Sequence, residues 1–290
     1  MIRRWQSMLV VAGVLSLGFG GLAGGAETLT LALTPSQSPT ALQQTGEEFG
    51  AALSKLLKMP VKVYVASDYA AVIEAMRSKN ADLAFLHTVG YVLANQEAKA
   101  KLLAKDIWHG KTSYTSRIFV RKDSGIKSLE ELRGKTIAFV DPTSSSGYVY
   151  PMVMLIEKGL VKNRDPKTFF REALFAGSHD AALLALLSQK VDAVASFDLA
   201  REQYLKEKER IEALTWVAET PPIPEAGIAA REGLDAALAK RIFEALLAFN
   251  APEYKPLLKK LYSIDGFTDP GPDSDFDVVR VALREGMLKR

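Results

Sequence analysis

Short β-branched runs, each followed by a cluster of Ser, Thr, Asp or Pro and then by an amphipathic stretch, recur four times along the chain. TLTLAL (28–33) runs into TPSQSP and a helix predicted over about residues 40–58. VKVYVA (61–66) runs into SDY and a second helix, whose apolar positions Tyr69, Val72, Ile73 and Met76 repeat at helical spacing. KTIAFV (135–140) leads through DPTSSSG to MVMLIEKGL, and ALFAGSHD (173–180) leads to AALLALLSQK. Strands alternating with helices in this way predict an α/β protein with parallel sheet pairing. In such sheets ligands collect beyond the carboxyl ends of the strands, where helix N-termini also gather.

Two stretches break the alternation and read as crossings between lobes: TSYTSRIFVRKDS (112–124) and the proline-rich AETPPIPEAGIAA (218–230). They bracket a middle lobe predicted over 118–222, and leave 27–117 together with 223–290 as a discontinuous first lobe. The run LDAALAKRIFEALLAF, apolar at Leu234, Leu238, Ile242 and Leu246, predicts a helix packed on that first lobe.

Composition narrows the setting. With 290 residues, 48% of them hydrophobic and 24% charged, the chain has room for two domains with a sizeable core. Its first 26 residues carry Arg3 and Arg4, then an apolar, glycine-rich run ending in GGA, and contain no acid. That is the pattern of an export signal cleaved near Glu27, with an uncleaved membrane anchor as the competing reading. A secreted or periplasmic protein is therefore expected. Without the two arginines the rest is close to neutral, so neither nucleic acid nor an acidic membrane surface is implied as a partner. The absence of cysteine excludes both a disulfide framework and a lipid-modified N-terminal Cys.

The candidate chemistry lies in DPTSSSGYVYP (141–151), at a strand-to-helix junction. A helix N-terminus has unpaired N–H groups and a partial positive charge, so Ser144, Ser145, Ser146 and the N–H of Gly147 could together wrap an oxyanion. One serine suffices to cap a helix; three exceed that need.

These residues, with DYAAVIEAMRSKNADLAF, SYTSRIFVRKDSGIKSLEELRGKTIAFV and FAGSHDAALLALLSQKVDAVA, resemble the periplasmic substrate-binding proteins of ABC transporters for phosphonate, phosphite and phosphate. The likeness runs over most of residues 28–232. It implies a two-lobed, type II-like periplasmic binding protein, each lobe a mixed, mostly parallel sheet flanked by helices, with the ligand cleft between them. It also implies a monomer that closes on a small phosphorus oxyanion and delivers it to a membrane permease, without a cofactor and without chemistry on the ligand. The family's oxyanion-binding run falls on Ser144, Ser145 and Ser146, its site tyrosines on Tyr69 and Tyr114, its histidine on His179, and its acidic positions on Asp198 and Glu225. After ADLAF, where relatives are expected to carry Gly-Pro, this chain has LHTVGY, which leaves the part played by His87 and Thr88 open.

Each residue also has a plain structural explanation. Tyr69 lies on the apolar stripe of its helix, Asp198 ends the strand DAVASF, and Glu225 sits in the second crossing. The competing functional class is a secreted α/β enzyme acting on an anionic small molecule, with His179 or Asp198 as base. HExxH, GxxxxGK[ST] and GxSxG are all missing, and SGIK (124–127) formally matches S-x-x-K but reads as a loop before the capping box SLEE. The three histidines have no metal-ligand spacing.

Overall fold

The computed structural model describes residues 28–284; the export-signal reading of residues 1–26 lies outside the described residues. Among those described, no helix is long and apolar enough to cross a membrane.

Two mixed sheets carry the architecture. The first has the order β13 (Ile264–Thr268), β4 (Lys101–Trp108), β12 (Gly227–Ala230), β3 (Leu83–Leu86), β1 (Leu29–Leu33), β2 (Val61–Val65). The second has the order β10 (Leu214–Glu219), β6 (Ser116–Arg121), β9 (Ala193–Phe197), β7 (Thr136–Phe139), β8 (Glu172–Phe175). In each, a strand pairs in parallel with neighbours on both sides, β1 with β2 and β3, β7 with β8 and β9; the returning strands join antiparallel. A third, two-stranded ribbon pairs β5 (Ser113–Tyr114) with β11 (Ile223–Pro224) where the two sequence crossings meet.

All four strand–cluster–helix repeats form. β1 leads to α1 (Pro39–Leu57) and β2 to α2 (Tyr69–Arg77), whose N-terminus is capped by Asp68 Oδ1 accepting from the Ala71 N–H at 2.7 Å. Helix α3 (Thr88–Ala98) follows β3, α4 (Tyr150–Glu157) follows β7, and α5 (His179–Leu187) follows β8. A short helix, α6 (Ala200–Tyr204), follows β9. On the first sheet the helix Ala236–Ala248 buries Ile242 and Leu246, as the apolar spacing requires, and Phe249 stacks on Phe49 of α1 at 4.6 Å between centroids. Packing of this kind, without disulfides, holds each layer together. It leaves the strand ends and helix N-termini of both sheets facing one cavity.

Candidate functional site

The serine loop is the first wall of that cavity. Between β7 and α4 the chain makes one wide, π-type turn over Ser145–Val149, a distortion that concentrates at functional sites because it re-aims backbone and side chains. Ser144 caps the turn, its Oγ accepting from the Gly147 N–H at 3.1 Å. Ser145 Oγ accepts from the Val89 N–H of α3 at 2.9 Å and so joins the second sheet's loop to a helix of the first. The Ser146, Ser145 and Thr88 side chains all lower the pKa of the Tyr114 hydroxyl, and the Ser146 carbonyl accepts from Ser116 Oγ at 2.6 Å. Ser144, Ser145 and Ser146 are thus tied to different parts of the fold, and all three line a cavity of about 60 Å³.

His179, at the first position of α5, lines the same cavity, with its Nδ1 2.6 Å from Ser196 Oγ and its backbone N–H donated to the Ser36 carbonyl across the cleft at 3.2 Å. Burial, reinforced by the neighbouring His87, lowers its pKa to about 3, so the imidazole is neutral. Burial alone lowers His87 to about 4. The N-termini of α3, the serine turn and α5 all adjoin the cavity, and each brings partial positive charge. No lysine or arginine is among the described residues that line it.

The second wall is acidic. Asp106, on β4, and Glu225, just after β11, are both buried and both line the cavity. Burial raises Asp106 to about 7 and pushes Glu225 well above the ordinary carboxyl range, where the charges of Asp106 and then Asp198 add to the effect. Lys105 opposes both shifts, but its Nζ bonds Asp275 at 2.8 Å on the other side of β4. Burial and the mutual repulsion of the two carboxyls therefore hold the pair toward its protonated forms. Tyr114 stands between the two walls, its hydroxyl pushed up by burial and by Glu225 and pulled down by Ser146, Ser145 and Thr88.

Of the sequence-expected residues, Tyr114, Ser144, Ser145, Ser146, His179 and Glu225 share this cavity wall; Tyr69, Gly147 and Asp198 do not. Gly147 spends its N–H on Ser144. A Cβ there would lie 2.4 Å from Val140 and 2.7 Å from Ser144 Oγ, so the close packing of the turn requires glycine at this position. Asp198 is half-buried beside Arg117, which bonds its backbone carbonyl at 3.0 Å; its Oδ1 is buried without a partner, and its charge adds to the upward shift of Glu225. Tyr69 is buried behind the wall, with its ring 6.3 Å from that of His87. Its hydroxyl lacks a partner near Ser144, Asp141, Tyr204 and Tyr262.

Sequence reasoning missed Asp106, Trp108, Gln203, Tyr204 and Tyr262, which complete the wall together with Phe197 and Ile264. Only Ser36, in the TPSQSP cluster after β1, carried the strand-end signal that could have found it.

A sequence model of periplasmic phosphonate substrate-binding proteins of ABC transporters matches residues 31–276. The phosphate-import protein PhnD of Mycolicibacterium smegmatis is 35% identical over 191 residues, which cover 64% of this chain and 60% of that one. The phosphonates-binding periplasmic protein of Escherichia coli is 27% identical over 243 residues, covering 81% and 70%. Among solved structures, PhnD1 of Prochlorococcus marinus in complex with methylphosphonate superposes with a TM-score of 0.79 at 22% identity, over 89% of this chain and 97% of that one. A binding-protein component of a Pseudomonas aeruginosa ABC phosphonate transporter superposes with a TM-score of 0.80 at 25% identity, over 89% and 86%. With a match that spans both sheets and every segment of the cavity wall, the chain belongs to the family of periplasmic phosphonate substrate-binding proteins of ABC transporters.

Proposed function

We propose that the chain captures a small phosphorus oxyanion, namely phosphite, phosphate or a small phosphonate, closes two lobes over it and passes it to an ABC permease in the periplasm, acting as a monomer. On this reading residues 27–117 with 223–290 form one lobe and 118–222 the other. The bonds from Val89 to Ser145 and from His179 to Ser36 then belong to the closed state.

The observation that carries the proposal is the set of three serine hydroxyls and a neutral histidine at helix N-termini around a cavity with no cationic side chain in its wall. Such a wall stabilises an oxyanion through hydroxyl donors and helix termini rather than ion pairs. Each serine can still donate its own hydroxyl hydrogen while accepting the bond described above. A volume of about 60 Å³ is several times the ~10–15 Å³ at which a cavity can hold a single water, so it has room for more than one solvent molecule or a small ligand group.

The acidic wall supports selection for a phosphorus ligand. A protonated carboxyl of the Asp106–Glu225 pair can donate to an oxygen, and an ionised one can accept from a P–OH or an ammonium group. Sulfate offers it neither donor. The name of the Mycolicibacterium relative and the methylphosphonate in the Prochlorococcus structure point to the same ligand class.

A ligand that binds only the folded form adds about 4 kcal/mol of stability at roughly a thousand times its Kd, a rise in melting temperature on the order of 10 °C. Thermal unfolding with phosphite, phosphate, methylphosphonate, aminoethylphosphonate and sulfate tests this. At least one phosphorus compound raises the midpoint and sulfate does not; a midpoint moved by sulfate alone would sink the assignment.

A further inference from the structure

His87 occupies the position where LHTVGY departs from the Gly-Pro expected in relatives, and the structure gives its side chain no internal task. It stands at the N-cap of α3, a position that Ser, Thr, Asp and Asn fill because their oxygens can accept the helix's free N–H groups. The His87 side chain makes no capping bond. One of those N–H groups, that of Val89, is taken by Ser145 from across the cleft, and Thr88 Oγ1 bonds the Pro224 carbonyl. The imidazole is therefore not needed to finish the helix.

Its ring is fixed by Tyr262, edge-on at 5.5 Å, by Tyr69 at 6.3 Å and by Phe85 at 6.4 Å. A phenylalanine would fill that aromatic setting without burying a polar atom. Instead His87 Nε2 is fully buried with no hydrogen-bond partner, and the residue lines the cavity that also holds His179. A buried polar atom left unpaired is a small minority case in folded proteins and calls for a reason. A ligand in the cavity supplies one.

Resting on the reading of this cavity as an oxyanion site, we propose that His87 is a ligand-contacting residue of this chain, its imidazole bonding the captured oxyanion from the first sheet's side while His179 bonds it from the second. The strand–helix junction after β3 then joins the serine loop and the start of α5 as a third source of contacts, and ligand held by both imidazoles bridges the two sheets. Both rings are neutral when buried, so each has one N–H to donate and one nitrogen to accept.

Isothermal titration of the protein and of His87→Phe and His87→Gln with methylphosphonate and with phosphate tests the assignment, with melting temperatures in the absence of ligand as the control for folding. His87→Phe keeps the packing and loses the hydrogen bond, and its Kd is expected to rise about tenfold or more with an unchanged or higher melting temperature. His87→Gln keeps a donor and is expected to stay within roughly threefold of the parent. Equal affinity of the parent and His87→Phe overturns the proposal, as does an equal loss in both variants. Failure of the parent protein itself to bind any of methylphosphonate, phosphate, phosphite and aminoethylphosphonate sinks the oxyanion reading and this inference with it, and is distinguished by being visible before any substitution is made.

Discussion

At one wall of the cavity Ser144, Ser145 and Ser146 come from consecutive positions of a single turn, the Ser144 and Ser145 hydroxyls accepting from backbone N–H groups and the Ser146 carbonyl accepting from Ser116. At the other, Asp106 and Glu225 come from segments more than a hundred residues apart, and Lys105, whose charge acts on both, is already bonded to Asp275. The serine wall is satisfied before a ligand arrives and offers extra donors. The carboxyl wall is not: Asp106 Oδ1 is buried without a partner, and burial holds both acids toward their protonated forms. The contrast separates two tasks. On the proposed reading, affinity for an anion is built into a helix N-terminus at little expense in stability, whereas discrimination among anions rests on acids whose burial costs stability until something hydrogen-bonds them.

The largest effect that can break this comparison lies within the serine wall. Ser145→Ala removes a donor to a charged ligand and also the acceptor for Val89; at roughly 1.5–3 kcal/mol for a charge-assisted bond, affinity should fall about tenfold to a hundredfold. Ser144→Ala removes the cap of the turn, so it should cost about 1 kcal/mol of stability with a smaller loss of affinity. Calorimetry and chemical unfolding of both variants provide the check. If Ser144→Ala loses affinity and Ser145→Ala does not, the roles given to the two hydroxyls are reversed.

A smaller effect sharpens the carboxyl side. The folded protein holds Asp106 at about 7, well above the ordinary value of 3.8, so the folded state binds this proton more tightly than the unfolded chain does. The stability linked to that proton is fully present below about pH 4 and is lost as pH rises through about 7. Ligand-free Asp106→Asn should therefore gain on the parent protein steadily across this window and hold its advantage above it. Depressed values at His87 and His179 act in the opposite direction, favouring the folded state as pH rises, but they are common to both proteins and largely cancel in the difference. Parallel stability–pH curves for the two proteins would show that Asp106 does not hold a proton in the folded state.

The same contrast explains what the amino-acid sequence revealed. Strands ending in Ser/Thr/Asp/Pro clusters before helices are local patterns, so the four repeats and the serine loop could be read in the order they occur. Ser144–Ser146 and His179 were legible because helix N-termini make such residues conspicuous. Asp106 was not, since LLAKDIW reads as an ordinary strand whose alternation puts Lys105 and Asp106 on opposite faces, and nothing local says which face is a cavity. Asp198 ends its strand outside the cavity wall, where Arg117 bonds its backbone carbonyl and its Oδ1 stays buried without a partner, a placement that strand-end position alone does not reveal. Tyr262 and Gln203 reach the cavity only through packing between elements distant in the chain.

The structure of the protein crystallised with methylphosphonate tests the central claim most directly. The phosphonate oxygens are expected at about 2.6–3.0 Å from serine hydroxyls of the 144–146 turn, with His87 and His179 closing on the same group and any P–OH directed at Asp106 or Glu225. Phosphonate oxygens bound away from the serine turn, or a ligand seated outside this cavity, would contradict the account.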